Sequence, residues 1–502
     1  MTVAPRRPAA DASAGDPGSS AGARHRLIAS DPVAAEPGRP SRPLAAVDAA
    51  WLRMDEPENL MLIHGVLVFD GPVTVGQTRR IVAERLLTIP RFRHRIVRGT
   101  SGGHTWEEVA EPDLAAHVVA EALPGAAGEA ELREAVGRWL GEPLDPALPP
   151  WQFLVIERYR DGESALVGRL HHAIGDGIAL MLVLLSLTDL APPAGEGEPA
   201  PADNPFAALF ARARRDLEAV RRATEEVMPE GMKLLLNPAQ ALREAGRMLR
   251  AAGVTDALGR LTLRGRDPRT VFKGPLGVEK RAAWSEAVPL AEVRRIAAAL
   301  GGTVTDVLST AAAGGLRRYL LAHGEPPARL SFRAAVPVNL RPLGEMTDLG
   351  NRFGLVFLGL PVGIADPRER LAELRRRMHA LKRSAEPLVV FKILQLLGRS
   401  PLWVQKAVVR ILATKTTAVL TSVPGPTRPL YLAGRRIRDI FFWVPQAGRV
   451  GLGISILSYD GRVRLGVATD AGLVPDPERI VAGFHAELAA MAELAPGDDV
   501  DV

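Results

Sequence analysis

The chain reads as an α/β protein, of the α+β kind with mixed sheets, built in two layered units. Short β-prone apolar runs alternate with stretches of helical period along most of the sequence, the pattern of sheets covered by helices. A stretch rich in Pro, Gly and Ala, Ala191 to Asn204, has no apolar period and separates two such alternating halves. The 502 residues are long enough for about two or three domains, each with its own core. We therefore expect a disordered tail over 1–41, a first domain over 42–195, a helical linker over 196–281 and a second domain over 282–502.

Taken in order, residues 1 to 40 are Pro, Ala, Gly and Ser with scattered Arg, too poor in apolar surface to fold and lacking the apolar core of a secretory signal. Asp48-Ala49-Ala50-Trp51-Leu52 predicts a short helix with an acidic start. Leu60 to Phe69 predicts a strand closed by Asp70-Gly71-Pro72, and Thr74 to Leu87 has helical spacing. Pro90 to Val97 leads into a strand, a hairpin-like patch surrounds Trp106, and Glu129 to Leu140 is helical. Gln152 to Tyr159 and Ser164 to Leu170, joined through Asp161-Gly162, form a hairpin. Beyond Asn204, Phe206 to Arg250 is charged and helical in pattern. Its Arg212, Arg214, Arg215, Arg221 and Arg222 are interleaved with Asp216, Glu218, Glu225 and Glu226, which fits a solvated face and no nucleic-acid partner.

The second unit begins near Ala282. Leu290 to Leu300 is a helix stopped by Gly301-Gly302, and Thr303 to Leu321 is another with Thr303 at its N-cap. Arg333 to Leu340 and Leu355 to Val362 are strands, and Pro367 to Arg383 is a basic helix. Val389 to Ala413 is apolar, carries Lys392, Lys406 and Arg410, and breaks at Pro401. Ala418 to Val423, Gly451 to Tyr459 and Val463 to Thr469 complete a sheet, and Pro477 to Leu494 closes the chain.

Cysteine is absent, which removes a disulfide framework, a thiol nucleophile and any thiolate metal site, and fits a cytosolic setting. Net charge is only +6, and 7 of the 63 basic residues are lysine, so the Arg excess reads mainly as coding bias with a modest lean toward anionic partners. The longest apolar runs, Ile178 to Leu187 and Phe353 to Ala365, fall short of the ~20 residues a spanning helix needs. There is no G-x-S-x-G elbow, Walker A loop or H-E-x-x-H pattern.

The chemistry concentrates in His171-His172-Ala173-Ile174-Gly175-Asp176-Gly177, where the hairpin ends and a Leu-rich helix begins. Successive strand side chains face opposite ways, so the two histidines are expected to differ in role. That divergence, with no second ligand cluster, argues against a metal. A neutral imidazole can take a proton from a bound hydroxyl near pH 7. His171 reads as a buried, backbone-satisfied histidine and His172 as the base candidate. Asp176 reads as an N-cap or ion-pair residue fixing the loop, and Gly175 and Gly177 as places where the backbone turns tightly beside a substrate.

The sequence resembles the bacterial wax ester synthase/diacylglycerol acyltransferase family, within the wider HHxxxDG acyltransferases that use coenzyme A. The resemblance runs from about Pro43 to Ala490. Besides HHxxxDG it rests on Val47-Asp48-Ala49-Ala50-Trp51-Leu52, Pro90-Arg91-Phe92-Arg93, Pro149-Pro150-Trp151, Val336 to Arg341, Gly350-Asn351-Arg352-Phe353-Gly354, Ser422 to Pro426 and Pro429 to Gly434. It implies a two-domain fold with a tunnel between the halves, entered by acyl-CoA from one side and by a long-chain alcohol or diacylglycerol from the other. It implies His172 as general base without a covalent intermediate, and His171, Asp176 and Gly177 as support, with Asp176 in an ion pair. Trp151 is expected to bind substrate. The pair that family members often carry as Asn-Asp is Thr305-Asp306 here, so a shorter hydroxyl replaces a carboxamide; these two and Asn351 are the expected second-domain support. No cofactor is implied beyond acyl-CoA as substrate. Poorly soluble acceptors imply contact with the inner membrane or lipid droplets, with Val389 to Ala413 serving either as core or as that surface. Alternatives are a carrier-protein donor or polyketide-type acceptor, and a non-catalytic lipid-binding homologue.

Overall fold

The computed structural model describes residues 41–190 and 265–495, apart from 100–102, 178–179, 181–182, 184–185, 329, 341–348 and 385. The expectations for residues 1–40, for the break at 191–204 and for Phe206 to Arg250 lie outside the described residues.

The first half contains β1 (Ser41–Pro43), α1 (Ala46–Leu52), β2 (Leu62–Phe69), α2 (Val75–Ile81), β3 (His94–Arg98), β4 (His104–Glu108), α3 (Leu114–His117), β5 (Val118–Ala120), α4 (Glu129–Leu140), β6 (Trp151–Tyr159) and β7 (Glu163–His171). Ser41, assigned above to the tail, opens β1 and pairs with Glu107 of β4. Thr74 caps α2 reciprocally: its side chain accepts the Gln77 N–H, and the Gln77 side chain accepts the Thr74 N–H. The helix runs on as a π-turn, Val82–Leu86. β6 and β7 form the expected hairpin, with Trp151 opposite Leu170 and Val155 opposite Leu166.

The second half contains β8 (Lys280–Trp284), β9 (Val288–Pro289), α5 (Leu290–Leu300), α6 (Val304–Ala322), β10 (Phe332–Asn339), β11 (Phe353–Leu360), α7 (Pro367–Lys382), α8 (Glu386–Leu397), α9 (Leu402–Thr414), β12 (Ala418–Pro424), β13 (Tyr431–Leu432), β14 (Arg435–Trp443), β15 (Leu452–Tyr459), β16 (Arg462–Asp470) and α10 (Glu478–Leu494). Gly301 ends α5 in the left-handed conformation at φ 75°, and Thr303 caps α6 by accepting the Asp306 N–H. Residues 265–279 contain no helix, and Lys280 and Arg281 already belong to β8, so the linker boundary at 281 cuts a strand.

Two mixed sheets carry the fold. One has the order β11-β10-β12-β15-β16-β8, with β9 also on β16; the other has the order β13-β14-β2-β7-β6-β5. The division at residue 282 is therefore crossed. β14, from late in the chain, lies antiparallel to β2, with Phe441 opposite Val66 and Trp443 opposite His64. No local pattern announced it, because its Arg-rich start masks the alternation and its partner is far away in sequence.

The sheet that contains β10 and β15 packs under α5, α6, α7 and α10 around Leu316, Phe332, Ile454 and Phe484. α6 and α10 approach so closely at Gly315 and Gly483 that a Cβ on Gly315 would lie 2.7 Å from the Ile480 carbonyl oxygen. Likewise a methyl on Gly354 of β11 would collide with the Pro387 carbonyl at the start of α8. These contacts set the helices at backbone distance, and the second one seats α8 beside the strand that follows Asn351.

Candidate active site

β7 ends at His171, and the chain then turns. The His171 N–H donates to the Pro150 carbonyl at 2.9 Å, and the His172 N–H donates to the Met61 carbonyl at 2.7 Å. The two rings diverge as expected. His171 Nδ1 accepts the Ala173 N–H at 3.0 Å, and its Nε2 lies 3.7 Å from Asp55 Oδ2. Asp55 in turn accepts the Met61 N–H at 2.7 Å. His171 thus braces the turn from behind.

His172 goes the other way, into a large cavity. Its imidazole stacks on Trp51 with centroids 4.3 Å apart and planes at 18°, and the Phe353 ring lies 5.4 Å away. Burial lowers its pKa to about 4, against an opposing pull from Asp176. The ring is neutral at pH 7, as a base must be.

The Asp176 carboxylate accepts the backbone N–H of Arg352 at 3.1 Å. That hydrogen bond ties the turn after His172 to the second-half loop. Gly177 lines the cavity, its φ is not positive, and a Cβ there would meet nothing within 4 Å. Its role is an open floor, not the tight turn read from sequence.

Asn351 reaches across the halves. Its Nδ2 donates to Asp48 Oδ1 at 2.9 Å and to the His172 carbonyl at 2.8 Å. Thr305 lines the cavity, whereas Asp306 is buried and its carboxylate accepts the Thr303 hydroxyl at 2.7 Å and the Thr303 N–H at 3.0 Å. Asp306 is thus a helix cap. Trp151 is not at the cavity. It is buried, stacked on His117 at 4.0 Å, with Nε1 donating to the Phe92 carbonyl, because its strand position points into the first-half core. Its support of the site is through β6–β7 pairing.

The cavity, about 830 Å³, lies between the two sheets. The first half contributes Trp51, His64, Phe153, Leu166 and His172, and the second Leu308, Val356, Leu394, Val419 and Ile456. Volume and apolar lining suit a lipid-like ligand. Arg294 and Lys382 are the Arg and Lys among its described lining residues. Sequence reasoning missed His64, which sits on β2 with Nε2 3.0 Å from the Trp139 carbonyl, and gave no individual role to Asp48, Asp55 or Met61. Among the described residues no group of three or more His, Asp or Glu is placed to hold a metal ion.

Two sheets meeting over an apolar cavity, with a neutral histidine in its wall, define a two-domain fold of the acyltransferase and condensation class. Solved structures share it. The chain is similar to a wax ester synthase/diacylglycerol acyltransferase from Marinobacter aquaeolei VT8, with TM-score 0.63 and 20% identity over 90% of this chain and 99% of that one. It is also similar to a trichothecene 15-O-acetyltransferase from Fusarium sporotrichioides, with TM-score 0.58 and 11% identity over 90% and 95%. In sequence, residues 44–308 match the wax ester synthase/diacylglycerol acyltransferase catalytic domain and residues 349–492 the WS/DGAT C-terminal domain. The chain belongs to this family of enzymes. A Mycobacterium tuberculosis (strain ATCC 25618 / H37Rv) protein named a probable diacylglycerol O-acyltransferase is 27% identical over 467 residues, 90% of this chain and 96% of its own length. A second protein of that strain with a diacylglycerol O-acyltransferase name is 31% identical over 444 residues, 84% and 90% respectively.

Proposed function

We propose that this enzyme transfers a fatty acyl group from acyl-CoA to the hydroxyl of a long-chain alcohol, of diacylglycerol, or of both, with His172 as general base and no acyl-enzyme. The observation that carries this is the neutral, Trp51-stacked imidazole in the wall of an apolar cavity shared by both halves. His172 takes the acceptor's hydroxyl proton as the oxygen attacks the thioester carbonyl. The tetrahedral intermediate collapses, the C–S bond breaks, and the departing thiolate recovers the proton from the imidazolium. The nearby Asp176 carboxylate favours the transient cation. Arg294 and Lys382 offer charge for the anionic phosphates of coenzyme A, and acyl-CoA serves as substrate with no further cofactor.

Purified enzyme supplied with palmitoyl-CoA and either hexadecanol or diacylglycerol should yield wax ester, triacylglycerol or both by chromatography, with acyl-carrier protein tested as a rival donor. His172→Ala should lose about 10²- to 10⁴-fold in kcat. Retention of full synthesis by that variant rules out the mechanism.

We infer further that the enzyme works in the cytoplasm, docked on the inner membrane or on lipid droplets through α8 and α9. No single helix among the described residues is long and apolar enough to cross a membrane. Yet Trp403 is 73% exposed, Leu396 66%, Ile411 55% and Leu402 47%, all on these two helices, with Lys392, Lys406 and Arg410 alongside. The other face of the same pair, at Leu394, Leu397, Val409 and Leu412, lines the cavity, which brings a lipid surface close to the acceptor's path. Wild-type enzyme should float with anionic vesicles, and Trp403→Ser should float less; equal flotation of both refutes the docking face.

A further inference from the structure

Among the buried atoms of the site that lack a hydrogen bond, two belong to residues already in contact. One is Nδ1 of His172, the other Oδ1 of Asn351. The carboxamide's orientation is not arbitrary: its nitrogen lies between two acceptors, Asp48 Oδ1 at 2.9 Å and the His172 carbonyl at 2.8 Å. With both amide hydrogens committed, the oxygen is left to face a donor. A neutral histidine has one to give, and the acceptors near it are the ring's own backbone carbonyl and this carboxamide oxygen. Leaving both atoms unpaired in an apolar site is costly, so the two are complementary partners.

We propose that Asn351 is the orienting residue of the base: its Oδ1 accepts the Nδ1–H of His172, which selects the tautomer whose unprotonated Nε2 serves the reaction. The arrangement has the logic of a nucleophile–His–Asn triad, here with the acceptor alcohol in place of an enzyme nucleophile. Asn351 is in turn held by Asp48, whose Oδ1 also accepts the Asn351 backbone N–H at 3.2 Å. Asp48 Oδ2 pairs with Arg91 at 3.6 Å, and Arg91 lies over the Trp106 ring at 4.5 Å. Three separated stretches, at residues 48, 91 and 351, thereby converge on one imidazole. Burial disfavours the cationic form of His172, and by accepting the Nδ1–H Asn351 acts against that, in the same direction as the Asp176 carboxylate.

The inference rests on His172 as the base, and its test separates the two. Nitrogen NMR of the histidine-labelled, substrate-free enzyme reads the tautomer without any turnover; Nδ1–H on His172 is expected, and Nε2–H overturns the proposal. Asn351→Ala should lower kcat about 100-fold with KM within about threefold, and move the acid limb of kcat/KM to lower pH. Asn351→Asp keeps an acceptor and adds charge, so its limb should move to higher pH. A purely structural role would not drive the two limbs in opposite directions, and limbs that stay put in both variants refute it. Should Asn351→Ala fail to fold, the wild-type tautomer and the Asn351→Asp profile decide the matter. Activity surviving in His172→Ala would remove the base itself, while the tautomer would still report on the hydrogen bond.

Discussion

Burial of His172 and His64 ties stability to pH in a way that can be isolated. Their pKa values fall to about 4 and about 3, in both cases with burial as the leading cause. An unfolded histidine takes up its proton near ~6.5, whereas these rings stay neutral until far lower pH. Between those values the unfolded state binds more protons, so stability is complete above ~6.5 and is lost as pH falls toward the folded value. Going from pH 7 to pH 5, each ring should remove about 2 kcal/mol, from ~1.5 units at ~1.4 kcal/mol per unit. The perturbation is His172→Phe, which keeps an aromatic ring against Trp51 but cannot titrate. Urea unfolding of both proteins at pH 7 and pH 5 gives the two losses; carboxylates and His64 contribute equally to each and cancel. The variant's loss should be smaller by about 2 kcal/mol. Equal losses would mean that His172 is protonated in the folded protein at pH 5, and the reasoning from burial would fall.

Other consequences are directly measurable. Trp51→Ala removes the ring beneath His172 and should destabilise by roughly 3–5 kcal/mol in denaturant, with a fall in kcat that Trp51→Phe largely restores. Gly354→Ala places a methyl against the Pro387 carbonyl and should cost about 1–3 kcal/mol by thermal or urea unfolding. Val419→Phe narrows the cavity between the sheets, so product chromatography with a mixed acyl-CoA pool should shift toward shorter chains.

Local elements were legible because local rules fix them. α4 and α5 have the predicted bounds, and Thr303 and Gly301 act as the caps that their residue types announce. The divergence of His171 and His172 was expected from strand alternation, and it holds although His172 is the first residue of the turn past β7. What escaped was long-range. β14 needs β2 to be a strand at all, and Asn351 meets Asp48 across 303 residues of sequence. Trp151 was misplaced for a related reason: the pattern marks it as important, but only the sheet's orientation says which side its ring faces. Gly177 kept its place in the site and lost its proposed backbone role.

The pairing of β14 with β2 has a consequence for how the protein is born. β2 reads Leu62-Ile63-His64-Gly65-Val66-Leu67-Val68-Phe69, and one of its edges is covered only by β14. During synthesis that edge must wait, since 366 residues separate Asp70 from Arg436 where the two strands join. At ~5–20 residues per second, the ribosome leaves it open for roughly 20–70 s. An apolar β edge of this kind is a template for unwanted pairing between nascent chains. Truncation before residue 435 would make that exposure permanent, so the first half is better regarded as a folding intermediate in need of a chaperone than as a domain that can be expressed alone.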